Sequence, residues 1–272
     1  MNSENTAKME AKKLYQELET FFNPNRYEDF VQNGVLADNT EVIHKVYTAT
    51  FSSSEVLEKL RRAGAHDCLL FTHHPGAQHP ESEPPAYFTA AEKNYMKENH
   101  ISHYSLHLPM DQLNPYSPGV SLAKQMGLTP FDSFFEEGGS VMGVICTGSF
   151  RRADQVLEKV ETLMGHKCRL YEYGGKDLKD GRVAIAAGGA EGTELYETLK
   201  NAGVTLFVTG VGTKEADWFA PSHEAAAQAG VSILAAGHYS TEKFALMAMC
   251  EFFRERGMDA EFIEETPLLT DM

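Results

Sequence analysis

Short apolar runs alternate with amphipathic helical stretches along most of the chain, and this alternation limits the possible folds more than any other feature of the sequence. The first repeat contains a strand at 42–51, a helix at 55–63 that the serines at 52–54 can cap, and a second strand at 67–71. Residues 6–22 carry apolar side chains at helical spacing and predict a helix before the first strand. A strand–helix–strand order typically places two parallel strands in one sheet, with the helix packed on its face.

The same alternation continues to the end of the chain. We predict helices at 89–99, 119–126, 153–164, 223–229 and 241–256, and strands at 101–106, at 141–147, near 169 and 184, at 205–209 and at 231–236. This order indicates an α/β protein with two lobes, in which helices cover mixed or parallel sheets. We expect a discontinuous lobe formed by 1–126 and 231–272, and a second α/β lobe at 127–230.

The charge of the chain excludes one class of function. Acidic residues outnumber basic ones, 39 to 24, which gives the 272 residues a formal net charge of −15. A protein that binds nucleic acid without sequence preference needs a basic surface to replace the phosphate counterions. We therefore expect no nucleic-acid partner, and cations suit this chain better.

Cysteine usage and hydropathy predict the compartment. The four cysteines lie far apart without a C-x-x-C pair, which is typical of free thiols in a reducing environment. The polar and then amphipathic N-terminal stretch lacks the apolar core of a signal peptide, and no segment is apolar for long enough to span a bilayer. We expect a cytoplasmic protein with no membrane contact.

Three short segments carry residues that bind metals, and each follows a predicted strand. These segments are His73-His74, His107-x-x-x-Asp111 and His238-x-x-x-Glu242. Their imidazoles and carboxylates suit two borderline divalent ions, such as zinc, iron, manganese or nickel. Because ligands bind beyond the carboxyl ends of the strands in open α/β sheets, we expect the three segments to converge.

The spacings support a centre with two ions. His73 and His74 cannot point the same way if the backbone is extended, so they suit two neighbouring ions better than one. Glu242 lies at the start of the predicted last helix and can use both oxygens to bridge two ions, with His238 just before it on the Gly237 turn. Taken singly, each motif has a plainer interpretation, as a solvated histidine, a loop residue that caps backbone amides or a helix N-terminal charge.

Other features of the sequence are weaker. The glycine-rich stretch 188–192 lacks the lysine and hydroxyl of a phosphate-binding loop, so a tight turn is the better interpretation. Trp218 reads as a core or interface residue. No partner spacing is evident for the remaining histidines that we considered, which are His79, His100, His103, His166 and His223.

The three metal-binding segments resemble those of a known family. Residues 71–75 (FTHHP), 104–111 (YSLHLPMD) and 237–242 (GHYSTE) are similar, in order and spacing, to the three signatures of the Nif-three-like family. Members of that family are known as type 2 homologues of GTP cyclohydrolase I. The resemblance extends from about residue 41 to the end of the last predicted helix. It implies a dinuclear metal centre in a two-lobed subunit, and a ring-shaped hexamer whose metal sites face an internal cavity.

The resemblance also implies a role for each ligand. His74 and Asp111 would hold one ion, His73 and His238 the other, and Glu242 would bridge them. His107 matches a motif position that suits proton transfer or an additional ligand. The chain departs from the family pattern at 49–52 and 209–214, where acidic residues common in the family are missing, and these departures concern substrate contacts rather than metals.

The function expected from the sequence is a dinuclear metal-dependent hydrolase. Its substrate would be a small molecule, either a nucleotide such as GTP or a cyclic amide or phosphoester. Two ions can lower the pKa of a bridging water toward about 7, and His107 can shuttle a proton. The alternative is a non-catalytic metal-binding scaffold or regulatory interaction protein, in which the coordination sphere would be closed.

Overall fold

The computed structural model describes residues 8–80, 83 and 85–272, and the chain divides into two compact units. The first unit comprises the described residues up to Gln78, with Pro85–Met110 and Leu246–Thr266. The second comprises Asp111–Ala245, Pro267–Met272 and the described part of 79–84. Each unit contains a mixed sheet with helices, so the predicted α/β class is confirmed.

We number the elements in chain order. The strands are β1 (Met9–Glu10), β2 (Gly34–Ala37), β3 (Val42–Ile43), β4 (Lys45–Phe51), β5 (Cys68–His74), β6 (Ile101–Ser105), β7 (Thr129–Glu137), β8 (Ser140–Thr147), β9 (Arg169–Tyr171), β10 (Val183–Ala186), β11 (Leu206–Thr209), β12 (Ser232–Ala235) and β13 (Asp259–Phe262). The helices are α1 (Ala11–Phe22), α2 (Ser54–Arg62), α3 (Ala90–Glu98), α4 (Leu108–Asp111), α5 (Pro118–Met126), α6 (Ala153–Met164), α7 (Glu194–Asn201), α8 (Ala220–Ala229) and α9 (His238–Arg254). Within the described ranges, none of these helices combines the length and the apolar character needed to cross a membrane.

The first unit contains a five-stranded sheet in the order β13-β4-β5-β6-β2. The strands β13, β4, β5 and β6 are parallel neighbours, and β2 pairs with β6 in the antiparallel direction. All but one residue of β4 and of β5 is buried, which is typical of parallel strands covered on both faces. Because these strands are parallel, their carboxyl ends lie at one edge of the sheet, where β5 ends in His73 and His74.

Polar residues fix the starts of the two connecting helices in this unit. The Ser53 side chain accepts a hydrogen bond of 3.2 Å from the Val56 N–H, so the serine stretch caps α2 as predicted. At the start of α3, Thr89 and Glu92 form a reciprocal capping box, in which the Thr89 N–H donates to the Glu92 carboxylate at 2.8 Å. These caps fix the residues at which the loops after β4 and β5 pass into helix.

The second unit contains a six-stranded sheet in the order β7-β8-β10-β11-β12-β9. The three strands β10, β11 and β12 are parallel, and the others pair in the antiparallel direction. Alternate apolar residues of the three parallel strands belong to different core clusters, as Val183 and Ile185 do on one side and Ala184 and Ala186 on the other. Both faces of these central strands are therefore buried.

Some sequence predictions of element bounds are wrong. The sequence analysis misses the strands β1, β2, β7 and β13 and the helices α4 and α7, and it starts the last helix at 241 although α9 begins at His238. The helix predicted at 223–229 begins earlier, at Ala220, with Pro221 in its first turn. Because α9 begins at His238, this histidine belongs to the helix, and Glu242 lies one turn into it rather than at its start.

Candidate metal centre

Three imidazoles meet at the carboxyl edge of the sheet in the first unit. His73 and His74 are the last residues of β5, and His107 follows the end of β6. One ring nitrogen from each of these residues lies within 4.8 Å of the corresponding atom of the other two. The structure thus brings together histidines from two of the three predicted segments, and their donor atoms are close enough to share a metal ion.

The rings of this cluster are packed against each other and against an aromatic neighbour. The centroid of His74 lies 4.4 Å from that of His73 and 5.0 Å from that of His107. The ring of Phe51, the last residue of β4, stacks on His74 at 4.4 Å with an interplanar angle of 10°. Phe51 therefore restrains the orientation of His74 and covers one face of its ring.

A backbone carbonyl orients His73. Its side chain is fully buried, and Nδ1 lies 2.8 Å from the carbonyl oxygen of Leu106. Because a carbonyl oxygen can only accept, Nδ1 carries the proton and Nε2 presents its lone pair. This tautomer is the one in which a histidine binds a metal through Nε2.

A buried carboxylate orients His107. Asp29 Oδ1 lies 2.9 Å from His107 Nδ1, and Asp29 Oδ2 accepts hydrogen bonds from the Leu108 N–H at 2.9 Å and from Asn33 Nδ2 at 2.8 Å. Burial alone would raise the pKa of Asp29, but the hydrogen bonds from His107, Asn33 and Leu108 and the His107 charge outweigh it and hold that pKa well below its ordinary value. The charged Asp29 fixes the proton of His107 on Nδ1, which leaves Nε2 as the basic nitrogen. Sequence analysis missed Asp29, because no motif surrounds it.

The third segment forms a histidine–carboxylate pair in the second unit. His238 and Glu242 are the first and fifth residues of α9, so their side chains lie on the same face of the helix. His238 Nε2 is 3.2 Å from Glu242 Oε1, and the Glu242 side chain is only 3% exposed. Asp111, the remaining predicted ligand, is the last residue of α4 and is also buried.

Glycines keep the space beside Glu242 open. Gly188 has a φ of +70°, and a Cβ atom added there would lie 2.1 Å from Glu242 Oε1 and 3.2 Å from His238 Nε2. The Gly188 N–H also donates a hydrogen bond of 2.9 Å to Thr241 Oγ1. A Cβ atom at Gly210 would lie 2.8 Å from the Cα atom of His238. The glycine-rich turn, for which the sequence predicts only a change of direction, therefore packs directly on the His238–Glu242 pair.

The other histidines of the described chain have other surroundings. His103 Nε2 is 2.9 Å from Thr72 Oγ1, His166 Nε2 is 2.8 Å from Ser240 Oγ, and His223 lies between the Tyr173 hydroxyl and the Gly212 carbonyl. Trp218 packs beside the core cluster of the second unit, which agrees with its interpretation as a core residue.

Comparison with known sequences identifies the family. The family described as Duf34/NIF3 (NGG1p interacting factor 3) matches residues 9–267. The chain belongs to this family. A relative from Borreliella burgdorferi, named GTP cyclohydrolase 1 type 2 homolog, is 29% identical over 258 residues, which are 94% of this chain and 98% of the relative. A protein of the same name from Archaeoglobus fulgidus is 26% identical over 91% of this chain and 94% of its own.

Solved structures share the fold of this chain. The structure of protein ybgI, described as of unknown function, matches 96% of this Duf34/NIF3 chain and 100% of its own, with a TM-score of 0.78 and 23% identity. Reduced HcgD from Methanocaldococcus jannaschii matches with a TM-score of 0.73 and 22% identity, over 96% of this chain and 100% of its own. At these identities the comparison shows a shared fold.

The donor groups of this Duf34/NIF3 protein fit a borderline divalent metal ion. Imidazole nitrogens and carboxylate oxygens are the ligands that zinc, iron, manganese and nickel bind in proteins. Buried carboxylates and clustered imidazoles are stabilised when a cation shares their surroundings. The clusters of histidine and glutamate could therefore hold a metal, and the absence of a side chain at 188 leaves room for the Glu242 carboxylate.

Proposed function

We propose that this protein is a hydrolase that depends on two divalent metal ions. The observation that carries the proposal is the cluster of His73, His74 and His107 at the carboxyl edge of a parallel sheet. In this proposal His74 and Asp111 would hold one ion, His73 and His238 would hold the other, and Glu242 would bind to both. The bound pair would supply Lewis acidity, which activates water and stabilises negative charge on the attacked group.

His107 is the proposed proton carrier. Asp29 holds the Nδ1 proton and stabilises the positive ring that forms when Nε2 accepts a proton. His107 would accept a proton as water attacks and return it to the leaving group, which conserves protons over the cycle. Phe51 contributes by excluding water from one face of His74.

The names of the relatives support the proposed substrate class. Because they are called GTP cyclohydrolase 1 type 2 homolog, we propose a nucleotide such as GTP as the first substrate to test, with cyclic amides and phosphoesters next. We further propose that the protein is a cytoplasmic homohexamer, as the family resemblance implies. The cysteines are free thiols in the described chain, which agrees with a reducing compartment.

Elemental analysis of purified protein tests the metal centre. We expect about two ions per chain in the wild type, and their loss in the Glu242→Ala and His238→Ala variants. Glu251→Ala is the matched control, because Glu251 is an exposed carboxylate on the same helix. Unchanged metal content in the first two variants would contradict the ligand assignment.

Turnover of GTP and of a phosphoester panel tests the proton carrier. We expect His107→Gln to keep its metal and to lose about 10²-fold or more in kcat. Metal loss in this variant would instead make His107 a ligand. Two bound ions in a wild-type protein that turns over none of these substrates would favour the non-catalytic scaffold.

A further inference from the structure

A second feature of the first unit is a cavity of about 530 Å³ beside α3. Pockets that bind small molecules usually have volumes between about 300 and 1,000 Å³. The cavity lies next to the imidazole cluster, because Pro75 follows His74 directly and the Phe30 ring is 5.0 Å from that of His107. Apart from Phe30 and Pro75, the residues that line it are Val31, Gln32, Leu36, Ala37, Asn39, Tyr87, Phe88, Lys93, Asn94, Met96, Lys97 and His103.

The charge of this cavity is opposite to that of the chain. Among the residues that the structure describes, the lining includes Lys93 and Lys97 and no acidic side chain, although the chain has a formal net charge of −15. The two lysines are one helical turn apart on α3, and neither makes an ion pair with any residue that the structure describes. A cavity of similar size in the same unit, about 520 Å³, is lined by Glu10, Asp38 and Glu41 as well as one lysine. The first cavity is therefore the one suited to an anion.

Aromatic side chains give the same cavity surfaces for a planar ring. Phe30 is 77% exposed and Tyr87 is 56% exposed, so both rings offer accessible faces to a ligand in the cavity. Phe88 is buried at the wall and packs edge-on against His103 at 5.7 Å.

His103 adds a buried polar group to the wall. It is only 3% exposed, and among the described residues its hydrogen bond is made by Nε2, to Thr72. Burial lowers the pKa of His103 to about 3, so the ring is neutral at physiological pH and Nδ1 offers a directional hydrogen bond rather than a charge. The amides of Gln32 and Asn94 provide further directional contacts.

We propose that this cavity binds a small planar aromatic anion, with its ring against Phe30 and Tyr87 and its anionic group at Lys93 and Lys97. The lysines select the charge, the aromatic side chains select the flat ring, and His103 with the amides fixes its orientation. The inference goes beyond the proposed hydrolase, since none of these groups is a proposed metal ligand. Binding is therefore expected with and without metal.

Two fluorescent probes test the proposal directly. They are 1-anilinonaphthalene-8-sulfonate, an anion that carries a planar naphthalene ring, and N-phenyl-1-naphthylamine, which has the same rings without the sulfonate. We expect the anion to bind at one site per chain, more tightly than the neutral compound, and more weakly as the salt concentration rises. The measurements use the whole protein, both as purified and after treatment with a chelator.

Paired variants locate the site. Lys93→Gln combined with Lys97→Gln should weaken binding of the anion by about fivefold and leave the neutral compound nearly unchanged. Lys13→Gln combined with Lys124→Gln makes the same change in net charge at exposed positions outside the cavity, and it should have little effect. Tyr87→Ala should weaken both probes, because both stack their rings on the aromatic wall.

Three results would overturn the proposal: equal affinity of the two probes, equal losses in the two lysine double variants, or no loss in any variant. The result is independent of the proposed hydrolase. A protein that loses its metal to the chelator and still binds the anionic probe would contradict neither proposal. A protein that keeps its metal and gives any of these three results would contradict the cavity proposal alone.

Discussion

The hydrogen-bond partner of each imidazole decides what that residue can do. His73 donates to a neutral carbonyl, that of Leu106, whereas the Nδ1 of His107 faces the charged Asp29 carboxylate. A charged acceptor increases the basicity of the opposite ring nitrogen more than a neutral one does. Asp29 could therefore stabilise a positive charge on the His107 ring, as the proposed proton carrier needs, whereas the Leu106 carbonyl orients His73 as a neutral imidazole.

Asp29→Asn tests how strongly this carboxylate supports its surroundings. The substitution leaves the donors of Leu108 and His107 without a charged acceptor, so we expect a loss of about 2–3 kcal/mol in the free energy of unfolding at pH 7. Because the pKa of Asp29 is lowered in the folded protein, its contribution is present above the unfolded value of about 3.9 and is lost as the pH falls below it. The difference from the wild type should thus shrink by about 1 kcal/mol at pH 3.

Urea denaturation at the two pH values gives this comparison. Asp132→Asn is the control, since Asp132 is exposed and, within the described part of the chain, its carboxylate accepts a hydrogen bond from the N–H of the next residue alone. If Asp29→Asn is as stable as the wild type at pH 7, Asp29 is not needed to hold the segment that contains His107 and Leu108.

The candidate ligand residues could be predicted from the sequence, but the groups that orient them by hydrogen bonds could not. His73 and His74 end an apolar run that the sequence shows directly. Asp29 acts on His107 across 78 residues of chain, and it lies in an irregular segment without periodicity. Contacts of that kind depend on the tertiary fold, which a local pattern does not contain.

In the second unit, the parallel strands of the sheet position the segments that follow them. The strands β10, β11 and β12 run side by side, so the segments that follow them meet at one edge of the sheet. Those segments contain Gly188, Gly210 and His238 in turn. Glycine is needed at 188 because the turn has a positive φ there and because the Glu242 carboxylate occupies the place of a Cβ atom.

A comparison of Gly188→Ala with Gly230→Ala separates the effect of the positive φ from the effect of the contact with Glu242. Gly230 has nearly the same φ, +72°, but an added Cβ atom would meet nothing within 4 Å. Both variants should lose about 1 kcal/mol from backbone strain. Gly188→Ala should lose about 1 kcal/mol more and most of its bound metal, because Glu242 must move. Thermal denaturation and elemental analysis measure the two effects, and equal behaviour of the two variants would contradict a role for Gly188 in positioning Glu242.

The segment after β13 holds the carboxyl end of β4 in the first unit. Glu265 Oε1 accepts hydrogen bonds from the N–H groups of Thr50 at 2.7 Å and Phe51 at 3.1 Å. Burial raises the pKa of Glu265 to about 8, although these two donors favour the charged form. Because Phe51 stacks on His74, Glu265 acts on the imidazole cluster through β4.

Glu265→Gln should change the pH dependence of stability. The folded protein keeps the Glu265 proton up to about pH 8, whereas an unfolded chain releases it near pH 4.3, so the contribution of this group is lost as the pH rises. Glutamine cannot ionise. Relative to the wild type, the variant should therefore gain about 1 kcal/mol per pH unit between pH 5 and pH 8. Urea denaturation across this range checks the slope, Glu264→Gln is the exposed neighbouring control, and parallel curves for all three proteins would reject the raised pKa.

The central strands of both sheets could be predicted, and several edge strands could not. Buried strands such as β5 and β11 are short continuous apolar runs. The first five residues of β7 are exposed, and irregular pairing with β8 interrupts its alternation. β13 is short and lies at the edge of its sheet, so its residues carry little periodic signal.

The proposed ligands lie between positions 73 and 242 of the sequence, so a metal bound by all of them depends on the fold of the whole molecule. An unfolded chain does not bring such distant groups together, so a metal ion bound by them stabilises the folded state by mass action. The large acidic excess of the chain adds to this effect, because a bound cation reduces the repulsion among carboxylates.

Removal of metal should therefore lower the melting temperature of the protein. An ion present at about 100 times its Kd contributes about 2.7 kcal/mol, which for a chain of this length corresponds to about 5–10 °C. We expect EDTA to lower Tm by that amount in the wild type and in Glu251→Ala, and to have no effect in Glu242→Ala, which should already melt at the lower temperature. Readdition of zinc or manganese should restore Tm only where the ligands are intact. If the wild type melts at the same temperature with and without EDTA while elemental analysis shows that the metal has left, the ions do not contribute to folding, and the proposed centre would have to be assembled from residues that the fold holds in place without them.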